Sequence, residues 1–151
     1  MTKFILLVAT VITLSSTVFC QTSTPPKKVA LGGSSDLLRS SAAFAEVLLK
    51  RTEIEADLES LLVEYTEDYP KVKQERVELD LIVKESDRLL AIKAGDAAKL
   101  TAALGKLMVR KVELQGDLWS LQQQYGDGHP DVKRAKRKVE IFERAIKEIL
   151  G

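Results

Sequence analysis

Residues 53–73, EIEADLESLLVEYTEDYPKVK, and residues 113–133, ELQGDLWSLQQQYGDGHPDVK, are one pattern written twice. Tyr65 and Tyr125, Pro70 and Pro130, and Val72 and Val132 stand sixty residues apart, and Glu53/Glu113, Asp57/Asp117, Leu58/Leu118, Ser60/Ser120, Leu61/Leu121 and Lys73/Lys133 keep the same offset without a gap. Farther out, Asp36 and Asp96 keep it as well. A fixed period means one supersecondary unit used twice, which speaks for architecture or binding more than for a single catalytic centre.

Each half of the pattern is a helical stripe, a break and a second stripe. Val47, Ile54, Leu58, Leu61 and Tyr65 recur at helical spacing, and so do Leu107, Leu114, Leu118, Leu121 and Tyr125, extended backward through Leu104 and Leu100. After each tyrosine comes a turn, Thr66 to Pro70 once and Gly126 to Pro130 the second time. Proline disfavours helical geometry in the residue before it and fits the first turn of a new helix, so Pro70 and Pro130 start returning helices. Those carry Val72, Leu79, Ile82 and Leu89 in one repeat. In the other, Val132, Ala135, Val139, Phe142, Ile146 and Ile149 alternate three and four, the pattern of a coiled-coil seam.

The expected fold is all-α: two tandem antiparallel helical hairpins forming a four-helix bundle or an extended coiled coil. Residues 36–95 make the first hairpin repeat and 96–151 the second. Asp36 and Asp96 are the expected caps of the outgoing helices, with Gly95 ending the helix before Asp96. Outgoing arms from Asp36 to Tyr65 and from Asp96 to Tyr125 would be about 45 Å long. Gly105 and Gly116 make the third arm either the softest or the one most closely approached by a neighbour.

Ahead of the repeats, Lys3 precedes the apolar run Phe4 to Leu14 and then Ser15-Ser16-Thr17, the layout of a secretory signal peptide over residues 1–20. The expected location is therefore exported, periplasmic or secreted. Two rivals stay open. Cys20 would be a lipidation site, although Phe19 stands where a lipobox wants a small residue. An uncleaved anchor is the other, although the apolar stretch is short against the ~20 residues of a spanning helix. Residues 21–35, QTSTPPKKVALGGSS, read as a flexible linker.

Without Cys20 the exported chain has no cysteine, which removes a disulfide framework, a thiol nucleophile and a thiolate metal site. Without Lys3, 22 basic residues face 22 acidic ones, so nothing global steers the chain to nucleic acid. The charge is unevenly placed: residues 36–95 hold 9 Lys/Arg against 14 Asp/Glu, and residues 96–151 hold 11 against 8. Opposite signs on similar units suit docking within one chain or between chains.

The candidate functional residues follow from this frame. The tips, Tyr65, Tyr69, Pro70, Tyr125, His129 and Pro130, either close the turns or touch a partner. Lys133, Arg134, Lys136, Arg137 and Lys138 form the densest basic run and make either a solvated face or a patch for an anionic partner, polysaccharide or lipid headgroup, screened by salt beyond ~8 Å. Trp119 covers the rim of the core or anchors a partner. His129 is the only histidine and has no second histidine or cysteine to help it bind a transition metal, so no metal and no cofactor are expected. Ser and Asp lack a nucleophile-elbow context, so no catalytic residue is expected either.

The stretch Tyr125-Gly126-Asp127-Gly128-His129-Pro130-Asp131-Val132-Lys133 resembles the hairpin motif in periplasmic coiled coils of the polysaccharide co-polymerase, or chain-length determinant, family. The resemblance covers about thirty residues in each repeat, and Tyr69 stands where the motif has histidine. It implies an exported coiled-coil hairpin with a link to surface polysaccharide. The expectation is a non-enzymatic structural or interaction protein of the bacterial cell envelope, with a protein partner or self-association. The alternative is a periplasmic chaperone-like or ligand-binding helical bundle.

Overall fold

The computed structural model of the chain describes residues 34–151. The expected signal peptide over 1–20, Cys20 and residues 21–33 of the expected linker lie outside the described residues. Among the described residues there is helix and no strand. The order is α1 (Ser34–Arg39), α2 (Ala42–Glu64), α3 (Pro70–Leu90), a short 3-10 segment (Ala94–Lys99), α4 (Ala102–Gln124) and α5 (Pro130–Leu150). Every element of the first repeat returns sixty residues later with the same bounds, except that the counterpart of α1 is the 3-10 segment.

The long helices start later than Asp36 and Asp96. Ser41 is the cap of α2, its Oγ accepting from the Phe44 N–H at 3.2 Å, and Thr101 is the cap of α4, its Oγ1 accepting from the Leu104 N–H at 3.3 Å. Both satisfy a donor that the first helical turn leaves free. Asp36 sits in the first turn of the six-residue α1, and Asp96 lies within the 3-10 segment. Gly95 ends no helix: α3 stops at Leu90, with Ala91 as its cap. The linker also ends two residues sooner than its composition implies, because Ser34 and Ser35 open α1. Each outgoing helix is thus 23 residues, about 34 Å, and the expected 45 Å is corrected by the break before each cap.

Pro70 and Pro130 begin α3 and α5, where a missing N–H costs nothing. The turn before each is built alike. The Tyr65 N–H donates to the Leu61 carbonyl at 2.8 Å, and the Tyr69 N–H to the Thr66 carbonyl at 3.0 Å; Tyr125 and His129 repeat both bonds at 2.8 and 2.9 Å.

Packing runs through α4. It lies against α5, and also against α2 and α3, which pack on each other. Ala43 and Lys50 of α2 meet Gly105 and Glu113 of α4, in the same order along both helices. Gln74, Glu78 and Glu85 of α3 meet Ser120, Gly116 and Lys111 of α4, in opposite order. At the start of α2 the Ala43 N–H donates to the Leu100 carbonyl at 3.2 Å, tying the repeats together.

The core gathers Leu38, Ala43, Val47, Ile54, Ile82, Leu89, Leu100, Leu104, Met108, Val112 and Ile146. The expected stripes supply most of it, but α4 is buried on a second face as well, through Gly105, Met108, Val112 and Gly116. A Cβ on Gly105 would lie 2.8 Å from the Ala43 carbonyl oxygen, and one on Gly116 would overlap the Glu78 carboxylate. These glycines exist for close approach, one of the two expectations for that arm. Along α5 only Val132 and Ile146 of the seam are fully covered, while Ala135, Val139, Phe142 and Ile149 are half-buried.

Candidate functional site

Tyr65, Tyr69 and Tyr125 are exposed, His129 is half-buried, and the four rings stack in pairs. The rings of Tyr65 and Tyr69 lie 4.1 Å apart at 13°, and those of Tyr125 and His129 lie 4.3 Å apart at 17°. Each outgoing tyrosine therefore stacks on the ring four residues later, across the turn. His129 Nδ1 accepts from the Asp131 N–H at 3.3 Å, so the histidine caps α5. Tyr69 has no such bond and keeps the same backbone.

The basic run divides. Lys136 reaches back to Asp127 at 2.9 Å, and Arg134 pairs with Asp131. Hydrogen bonds from Lys136 and then Gln122 hold the Asp127 carboxyl below its ordinary value, and Arg134 does the same for Asp131. Lys133, Arg137 and Lys138 have no carboxylate partner among the described residues. The five cations thus do not converge on one anion.

Of the grooves beside α4, two take in candidate residues. One, of about 560 Å³, is lined by Tyr69, Pro70, Trp119, Gln123 and Gln124, so that a turn and the tryptophan, chosen separately from the sequence, meet at one place. The other, of about 550 Å³, runs between α4 and α5, lined by Leu114, Asp117, Leu121, Arg134, Ala135 and Lys138. A hydrogen bond from Ser120 Oγ to Gln74 Oε1, 3.0 Å, lies at the border of both. Pro130, Tyr125 and His129 line neither.

Between α3, α4 and α5 lies a charged cluster that the sequence did not flag. Lys111 is buried and donates to Glu85 and, at 2.9 Å, to Glu143 Oε2; Arg88 Nη1 stands 3.4 Å from both Glu143 oxygens. Burial raises the Glu143 carboxyl, but Lys111 and Arg88 outweigh it and hold the group below its ordinary value. The charges offset one another, as buried ions must, but Glu85 Oε2 is buried with no hydrogen-bond partner and has only Arg88 Nη1 at 3.6 Å beside it. Glu143 also lines a shallow groove on α5 with Val139, Glu140, Arg144 and Lys147, whereas Lys111 and Glu85 are buried.

A second feature missed by stripe counting is apolar surface. Leu48, Leu49 and Val63 of α2 are 46, 58 and 85 % exposed, and Ile141 of α5 is 58 % exposed. Among the described residues no three His, Cys, Asp or Glu side chains are placed to hold a metal ion, and no helix is long and apolar enough to cross a membrane. Comparison with known proteins finds no matching family model, no matching curated protein and no matching solved structure.

Proposed function

We propose that this chain is an exported, non-enzymatic structural and interaction protein of the bacterial cell envelope, built as two tandem antiparallel helical hairpins whose outer helix faces meet partners. One observation carries the reading: α2 presents Leu48, Leu49 and Val63 to solvent on the side opposite its buried stripe. A helix apolar on both sides ordinarily has neighbours on both sides.

Other observations support it. Helix bounds that return at sixty residues, with prolines opening α3 and α5, fit hairpins joined in tandem. Because α5 packs on α4 and the 3-10 segment while α4 also holds α2 and α3, the hairpins are better pictured as stacked than as closed into a ring of four helices. The signal-like layout of residues 1–20 supports export. The resemblance of residues 125–133 to the hairpins of polysaccharide co-polymerases supports the envelope and a polysaccharide link.

The test is photo-crosslinking in the native cells, with the reactive residue at position 48 on α2 or at position 69 or 129 in the turns, together with fractionation. Adducts from position 48 in the envelope or secreted fraction support the reading. A cytosolic protein without adducts from any of the three sites sinks it.

The groove at Trp119 favours a second reading, a ligand-binding or chaperone-like bundle, because an aromatic wall beside an open cleft suits an apolar segment. An apolar dye that brightens on the purified protein and is displaced after Trp119→Ser would favour it; no brightening removes it.

A further inference from the structure

Equivalent positions in the two repeats differ in what covers them, and the difference shows which faces lack a neighbour. On α4 the face turned to α2 and α3 consists of Gly105, Met108, Val112 and Gly116, all buried. Sixty residues earlier the same positions of α2 are Ala45, Leu48, Thr52 and Ala56, all exposed. The residue types correspond, with leucine for methionine, β-branched threonine for valine and alanine for glycine at both close-approach positions, where each added methyl holds a docked helix slightly farther off than α4 stands from α2. The outer face of α2 thus has the composition of a helix face meant to lie against two others.

The opposite end of the chain shows the converse. Where α4 covers the first repeat, Val47, Ile82 and Leu89 are completely buried. Their counterparts Leu107, Phe142 and Ile149 are only half-buried, and Ile141 is exposed where Leu81 is partly covered. The groove between α4 and α5 includes Arg134, Ala135 and Lys138, the counterparts of Gln74, Glu75 and Glu78 that flank α4 on α3.

We propose that α2 of a second copy of this chain docks on the α4–α5 face, as α4 docks on α2 and α3 within one molecule, so that copies associate head to tail. The proposal rests on the reading of the chain as an interaction module and names its partner. Charge selects this occupant. Within the molecule α2 and α4 are linked by Lys50 and Glu113 at 3.4 Å; the counterparts, Arg110 and Glu53, would make the same pair between copies with the same polarity, Arg110 being shared with Glu113 at 2.7 Å and Glu53 with Lys50 at 3.9 Å. Lys138 and Arg134 would meet the part of α2 around Ala56 and Ser60, where Asp57, Glu59 and Glu64 lie.

As whole helices, α2 holds six Asp/Glu against two Lys/Arg, and α5 holds seven Lys/Arg against four Asp/Glu. Two α2 faces would repel each other, which disfavours a symmetric pair through that helix. A head-to-tail contact uses different patches on its two sides and leaves both ends open, giving a ring if the rotation closes and a filament otherwise. The buried Lys111 cluster is not repeated between copies: Ala145 stands for Glu85, and Arg51, the counterpart of Lys111, stays on Glu55 at 2.8 Å.

Sedimentation velocity on the purified full chain tests this with two variants. Leu48→Lys/Ala56→Arg breaks the α2 face, and Arg134→Glu/Lys138→Glu breaks the α4–α5 face. All four positions are exposed, and unchanged far-ultraviolet circular dichroism checks the fold. The wild-type chain is expected to sediment as species larger than a monomer that shrink on dilution. Each variant alone should be monomeric, with self-association weakened on the order of a hundredfold, and an equimolar mixture should form one-to-one dimers and nothing larger.

A wild-type chain that is monomeric at every concentration, variants that still assemble like the wild type, as they would through residues 1–33, or a mixture that stays monomeric each overturns the proposal. Crosslinks from position 48 to another protein in cells, beside a monomeric purified chain, would remove self-docking and leave the interaction reading in place. Absence of any crosslink, self included, removes the reading itself.

Discussion

Replacing Gly105 by alanine tests the close packing of the repeats, because two opposed effects of known size meet at one position. In an isolated helix the change would help by about 1 kcal/mol. Here the new methyl would lie 2.8 Å from the Ala43 carbonyl oxygen, 2.9 Å from the Ala43 Cα and 2.8 Å from the Glu46 Cβ. Two of these belong to backbone and the third to the root of a side chain, so none yields by a rotamer change. Restoring ordinary contact needs α2 and α4 to part by roughly 0.6 Å. Overpacking of that kind costs about 1–3 kcal/mol, and the backbone contacts place this site toward the upper end. The expected net effect is a loss on the order of 1–2 kcal/mol, or a Tm lower by about 4–8 °C for a domain of this size. Thermal unfolding followed by circular dichroism reads it. The control is Gly95→Ala, whose Cβ meets nothing within 4 Å and should leave Tm unchanged or slightly raised. A Tm that rises for Gly105→Ala would refute the packing of α4 on α2.

The caps divide in a way that the aspartates alone would not suggest. Ser41→Ala and Thr101→Ala should each cost about 1 kcal/mol in urea unfolding, and Asp36→Ala and Asp96→Ala clearly less. Burial raises the Glu78 carboxyl above its ordinary value even though Gln74 donates to it. The folded state then holds the proton more tightly than the unfolded one, so this group's contribution falls as pH rises from the ordinary carboxylate value through the raised one. Glu78→Gln should flatten that part of the stability–pH curve, and a curve of unchanged slope would count against it. Glu143 behaves oppositely: its stabilising contribution is present above the ordinary value and fades as pH falls through the lowered one. Lys111→Met leaves Glu85 and Glu143 with Arg88 as their one remaining cation and should cost about 3 kcal/mol, a loss that Lys111→Met with Glu85→Leu should largely recover.

The helices, the turns and the sixty-residue period were legible because they depend on short-range rules: apolar spacing, tyrosine, and proline at a helix start. Helix starts were misread at Asp36 and Asp96 because Asp, Ser and Thr all cap well, and only the three-dimensional course of the chain selects Ser41 and Thr101. The second buried face of α4 was harder to see. Glycine at 105 and 116 reads as weakness along one helix and as room only when a neighbouring helix is present. The Lys111 cluster joins residues from three helices, and no local pattern relates Lys111 to Glu85 or Glu143. Trp119 was legible as a residue at the edge of a stripe, but its groove needed the fold of the Tyr69 turn.

The repeats differ most visibly at their turns, tyrosine at 69 against histidine at 129, and that difference invites a functional contrast between the two ends. The geometry argues against it. Both rings stack on the preceding tyrosine at nearly the same distance and angle, and both leave the backbone of the following helix start in the same conformation. The two side chains do the same mechanical work, with a cap bond added at His129. The consequential asymmetry is in positions whose residue types agree while their surroundings do not: Leu48 against Met108, Ala56 against Gly116, Ile149 against Leu89. A repeat that had drifted into mere solvent exposure would gain charge at such positions over the whole face, as Glu59 has at the place of Trp119. Leu48, Ala56 and Val63 keep an apolar line through that face, bounded by acids. Two repeats therefore bury one interface between them and leave its counterpart faces, on α2 and on α4 with α5, less covered among the described residues.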